Sequence, residues 1–165
     1  MVKMDALKLQ FEALGFANVS TFIASGNVVF DSKVRNHAVL ERKIEAQLHA
    51  AFGFEIHTFV RTADEVAAVA AHTAFDAAEL VAARTHVVGF LASAPDAAAL
   101  KVIAGFESDI DRFHVHGREL YWLSRLGQSE STFSNALFEK KLGMRTTFRG
   151  LNTLHKLLAK YPPGT

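Results

Sequence analysis

The chain has 165 residues, half of them hydrophobic, with 18 basic and 17 acidic side chains and a net charge of +1; this excludes a disordered polyelectrolyte and gives no bulk attraction to nucleic acid. Cysteine is absent, which removes disulfide scaffolds, thiolate catalysis, redox switching and zinc–thiolate sites together. Charge or His interrupts every apolar window before the roughly 18 residues of a membrane span, and MVKMDALKLQFEALGF reads as an amphipathic helix rather than a signal peptide, so a soluble cytoplasmic protein with no membrane partner is expected.

The first helix is predicted from about Asp5 to Leu14, with Leu7, Phe11 and Leu14 on one face and Gly15 closing it. Strands follow at Val19–Ala24 and Val28–Asp31, joined by a Ser25-Gly26-Asn27 turn whose glycine and asparagine suit positive φ. Asn36 is placed to cap a second helix that carries Leu40, Ile44, Leu48 and Phe52, with Gly53 as its left-handed end. Phe54–Val60 reads as a strand. Thr62-Ala63-Asp64-Glu65 has capping-box spacing and opens an alanine-rich helix that ends near Ala71.

The second half repeats the order. His86–Leu91 is a strand, and Ala94-Pro95-Asp96 opens a helix with proline in its first turn and Leu100 and Ile103 facing inward. Arg112–His116 and Glu119–Ser124 alternate around Gly117-Arg118 as an antiparallel hairpin. A helix from about Ser131 to Leu142 is expected to bury Phe133 and Leu137. Thr146–Arg149 is then a short strand, Asn152 caps a last helix through Leu158, and Pro162-Pro163 stops it. The element order gives an α+β fold of two tandem ferredoxin-like, split β-α-β halves, 1–80 and 81–165, forming one compact unit with helices on one face of each sheet. The first half lacks its first strand. Charge also divides, with 7 basic against 10 acidic residues in 1–80 and 11 against 7 in 81–165.

LGFANVSTFIASGNVVF, from Leu14 to Phe30, and TFRGLNT, from Thr147 to Thr153, resemble the bacterial domain of unknown function 1697 family in wording and order, and the resemblance runs from Lys3 to Leu158. The second segment is similar to the family's T-x-R-N-W-N-T signature. Gly150 and Leu151 replace its usual asparagine and tryptophan, while Thr147, Arg149, Asn152 and Thr153 stay in register. The resemblance further implies a strand and glycine-rich loop directly before the first helix, where only Met1 to Met4 stand, so the first half is expected to be an N-terminally shortened version. Without a central strand, Val28–Asp31 and Phe54–Val60 are expected to pair directly, leave a gap, or accept a strand from another copy in a swapped dimer.

Arg149 at a strand end, followed by Asn152 and Thr153 at a helix start, puts a guanidinium beside helix N-terminal amides, a corner suited to anions. Arg125 and Ser129, before the helix expected at Ser131, form a second such corner. Ser25 and Asn27 are further candidates, although Ser, Thr and Asn in such places also serve as caps and turn formers. His114 and His116 share one side of a strand at chelating spacing, but no third ligand is evident and no metal or cofactor is expected. Tyr121 and Trp122 could offer a stacking face to single-stranded nucleic acid, with burial of one ring as the competing reading. No Walker, dinucleotide, HExxH or GxSxG pattern occurs, and no residue stands out as a general base. The sequence therefore favours a binder of a small anionic or phosphorylated ligand between the two halves, through Arg149, Asn152, Thr153, Thr147, Ser25 and Asn27. An enzyme whose N-terminal loop is missing, or a single-stranded nucleic-acid binder, ranks below it.

Overall fold

The computed structural model describes residues 2–23, 26–127, 130 and 134–163 of the chain. Ser25, Ser129, Ser131 and Phe133, singled out in the sequence, lie outside them. The protein is α+β, with seven helices and two sheets among the described residues. It divides into two compact units, Met1–Arg61 and Thr62–Thr165. The division falls ahead of the capping-box helix rather than at 80/81, because that helix is built into the second sheet's packing.

In the first unit, α1 (Met4–Ala13), β1 (Ala17–Phe22), β2 (Asn27–Asp31) and α2 (His37–Phe52) follow in order. The helices lie side by side as their apolar stripes require: Leu7, Phe11, Leu40, Ile44 and Leu48 form one core with Phe16 and Val19. Gln47 donates to Gln10 across them at 2.7 Å. Asn36 caps α2 by accepting from the amides of Ala38 and Val39, and Gly53 ends it at φ 80°. β1 and β2 pair antiparallel with a bulge between Ala17 and Ser20, where Asn18 takes φ 52° and donates to Asp31 at 2.7 Å. The expected strand over 54–60 does not form. No ladder engages it among the described residues; instead the amides of Thr58 and Val60 donate to the carboxylates of Glu45 and Glu41 on α2, each at 2.8 Å.

The second unit contains α3 (Ala63–Ala71), α4 (Ala77–Ala82), β3 (Thr85–Leu91), α5 (Ala97–Ala104), β4 (Asp111–His116), β5 (Glu119–Ser124), α6 (Asn135–Leu142), β6 (Thr146–Gly150) and α7 (Leu151–Lys160). Its sheet runs β4-β5-β3-β6, antiparallel throughout. On one face Val87, Leu91, Phe113, Leu120 and Trp122 pack against Ile103 of α5 and Phe138 of α6. The opposite face is covered as well: Tyr121 donates to the Val69 carbonyl of α3 at 3.0 Å, and α3 packs with α7. Helices therefore lie on both faces, not one, because the second face, with Val88 and Phe90 of β3 and Tyr121 and Leu123 of β5, is apolar and buried as well.

Several local expectations shift. α4, capped by Asp76, was not anticipated. Asp96 is the N-cap of α5, so Pro95 precedes the helix, and Leu100 is exposed while Ile103 is buried. α6 starts at Asn135 under a Ser134 cap, and it buries Phe138 completely, with Leu137 only half-buried. No helix among the described residues is long and apolar enough to cross a membrane.

Candidate functional site

The β6–α7 corner keeps three of its expected members close together. β6 is an edge strand, and Arg149 and Thr147 stand on the same side of it. The Arg149 guanidinium folds back along the strand and donates to Thr147 Oγ1 at 2.6 Å and to the Phe148 carbonyl at 2.9 Å. It is half-buried, and burial lowers its pKa from the ordinary value; a guanidinium nevertheless stays protonated at neutral pH. The guanidinium is thus fixed against its own strand.

Immediately after it, Gly150 is the N-cap of α7 and supplies no side-chain cap. Asn152, expected as that cap, is instead an exposed residue inside the helix, because α7 begins ahead of it at Leu151, which is buried with Leu154. The other helices of the second unit all have side-chain caps, from Thr62, Asp76, Asp96 and Ser134. Thr153 Oγ1 lies over Gly150, 3.9 Å from where a Cβ would stand. A positive side chain, two hydroxyls and first-turn amides without a side-chain cap therefore occupy one corner.

Two of the remaining candidates have surroundings of their own. Asn27 belongs to the first unit and donates to the Phe22 carbonyl at 2.9 Å. Arg125 borders a cavity of about 300 Å³ with Asp76, Glu79, Asp109 and Arg112, where three carboxylates oppose two guanidiniums and disfavour an anion. Ser25 and Ser129 lie outside the described residues. Tyr121 and Trp122 are both buried to 1% exposure, and Trp122 donates to the buried Asp111 carboxylate at 3.0 Å. The stacking platform that nucleic-acid binding across the sheet would use is therefore not available. Burial, and then the charge of Glu119, push the Tyr121 hydroxyl up to about 12.

A grouping that sequence reading missed lies on the outer face of the β4–β5 hairpin. His114 and His116 point away from the core, as alternation requires, and His72 at the end of α3 meets them. His72 Nε2 is 3.0 Å from His114 Nε2, and its ring lies 4.1 Å from that of His116. Burial, followed by the neighbouring His116 and His114, lowers the His72 pKa. Only the i, i+2 spacing of the strand pair was visible in the sequence; His72 is 42 residues away from His114.

Fold and corner define a two-unit α+β protein. The chain belongs to the family described as "Protein of unknown function (DUF1697)", whose model matches residues 1–121. The Thr147–Thr153 segment lies beyond that stretch. The fold is similar to that of the conserved bacterial protein SP0830 from Streptococcus pneumoniae, at 17% identity and a TM-score of 0.70, over 97% of this chain and 89% of that one. No curated protein matches the chain.

Proposed function

We propose that the protein binds a small anionic, phosphate-bearing ligand at the β6–α7 corner. The observation that supports this reading is that α7, alone among the second unit's helices described, starts without a side-chain cap directly after a half-buried, hydrogen-bonded arginine. Helix N-terminal amides and a guanidinium both favour anions, and a phosphate accepts from both at once. Thr147 holds the guanidinium, and Thr153 offers a hydroxyl at the other side of Gly150. We take the second unit as ferredoxin-like, since its β-α-β-β-α-β order and β4-β5-β3-β6 sheet fit the split β-α-β pattern.

Titration of the whole chain with inorganic phosphate and pyrophosphate, followed by amide chemical shifts, tests the reading. Shifts should centre on 149–153. Arg149→Ala should abolish them and lower stability by about 1 kcal/mol through the lost hydrogen bonds. Thr153→Val, which keeps the shape of the side chain, should weaken binding without unfolding the unit. Unchanged binding in both variants would overturn the assignment.

A further inference from the structure

We propose that His72 and His114, joined by His116, form a binding site for a divalent ion of the zinc, nickel and copper group. The site is distinct from the β6–α7 corner and does not depend on it. Two imidazole nitrogens stand 3.0 Å apart, a separation that requires a proton or an ion between them, since two bare lone pairs repel. With metal–nitrogen bonds of about 2.0–2.1 Å, two ligands on one ion stand about 2.9 Å apart at a right angle and about 3.3 Å apart at the tetrahedral angle. The observed spacing falls within that range; an ion that replaces the shared proton lies off the line between the nitrogens, so both rings turn to aim their lone pairs at it.

The surroundings suit such an exchange. His72 and His114 are half-buried and His116 is exposed, so the nitrogens are within reach of solvent. The Tyr121 ring, 5.3 Å from His72 and 6.1 Å from His114, backs both imidazoles and limits their rotation. Tyr121 is itself fixed by its bond to Val69 of α3, the helix that ends at His72. As the side chains stand, no three such groups among the described residues surround a common point. The His116 ring lies against that of His72, tilted by 35°, and becomes the third ligand only once its side chain turns, with water completing the shell. Imidazole donors without thiolate or carboxylate suit this group of ions rather than calcium or magnesium.

Zinc titration of the untagged whole chain, with melting temperature followed in parallel, tests the proposal. One zinc ion per chain should bind and raise the melting temperature. His72→Ala and His114→Ala should each weaken binding by no less than the roughly tenfold typical of losing an outer-shell partner. His114→Gln, which leaves a hydrogen-bonding side chain on the strand but no ring nitrogen, should lose zinc while melting like the parent without metal. His57→Ala is the control, because His57 lies 3.8 Å from Glu45 and 3.9 Å from Glu55 in the first unit; it should bind zinc as the parent does. Absence of stoichiometric binding, binding unchanged in His114→Gln, or loss in His57→Ala would each overturn the proposal.

Discussion

Gly89 shows how closely single residues are set in the second unit. A Cβ there would stand 2.7 Å from Cε1 of Phe148 and 3.0 Å from Oγ1 of Thr146. The Phe148 ring packs edge-on to Trp122 and Phe138, so displacing it disturbs both contacts. Thr146 is tied as well, its hydroxyl donating to the Phe90 carbonyl at 2.9 Å. Gly89→Ala should therefore destabilise the protein by about 1–3 kcal/mol through overpacking, read as a lower midpoint in urea. A midpoint equal to the parent's would mean that the β3–β6 pairing relaxes freely. The histidine group belongs to the same scale, and its legibility was partial for a physical reason. Strand alternation predicts where His114 and His116 point, but only tertiary packing brings the end of α3 to them.

Among the elements, those whose ends carry their own chemistry were legible and those that depend on a partner were not. Asn36, Gly53 and the Thr62–Glu65 box hold their predicted roles, because a cap is satisfied within three or four residues. The segment 54–60 has strand composition, yet composition cannot supply the neighbour that a ladder needs. Its amides are met by α2 instead, and Glu41 is buried to 8% exposure in doing so. In the same way Asn152 looked like a cap because it is a good capping residue, while burial of Leu151 moved the start of α7 ahead of it. Glu41→Ala should leave the Val60 amide without its acceptor and destabilise the protein by about 1–3 kcal/mol. Glu41→Gln keeps a carbonyl oxygen in reach and should lose less. Equal melting temperatures for Glu41→Ala and the parent would show that the bond to Val60 contributes nothing.

At the scale of the whole molecule, the two units differ in how far apart along the chain their partners lie. β1 and β2 are neighbours joined by a turn, whereas β3 must pair with both β5 and β6, so that Leu91 meets Thr146 and Val87 meets Gly150. Closing distant partners is slower than closing near ones. Pulse labelling during refolding should find the β1–β2 amides protected before the β3 amides that face β6; simultaneous protection would show that the two ladders form as one event. The order has a further meaning during synthesis. β3, with the apolar sequence THVVGFL, leaves the ribosome well before β6, and until residues 146–150 follow, one edge of the most buried strand in the protein is open to any other extended chain. Mispairing of nascent chains should therefore begin at β3, and expression yield should respond to changes in β6 that hardly alter the stability of the finished fold.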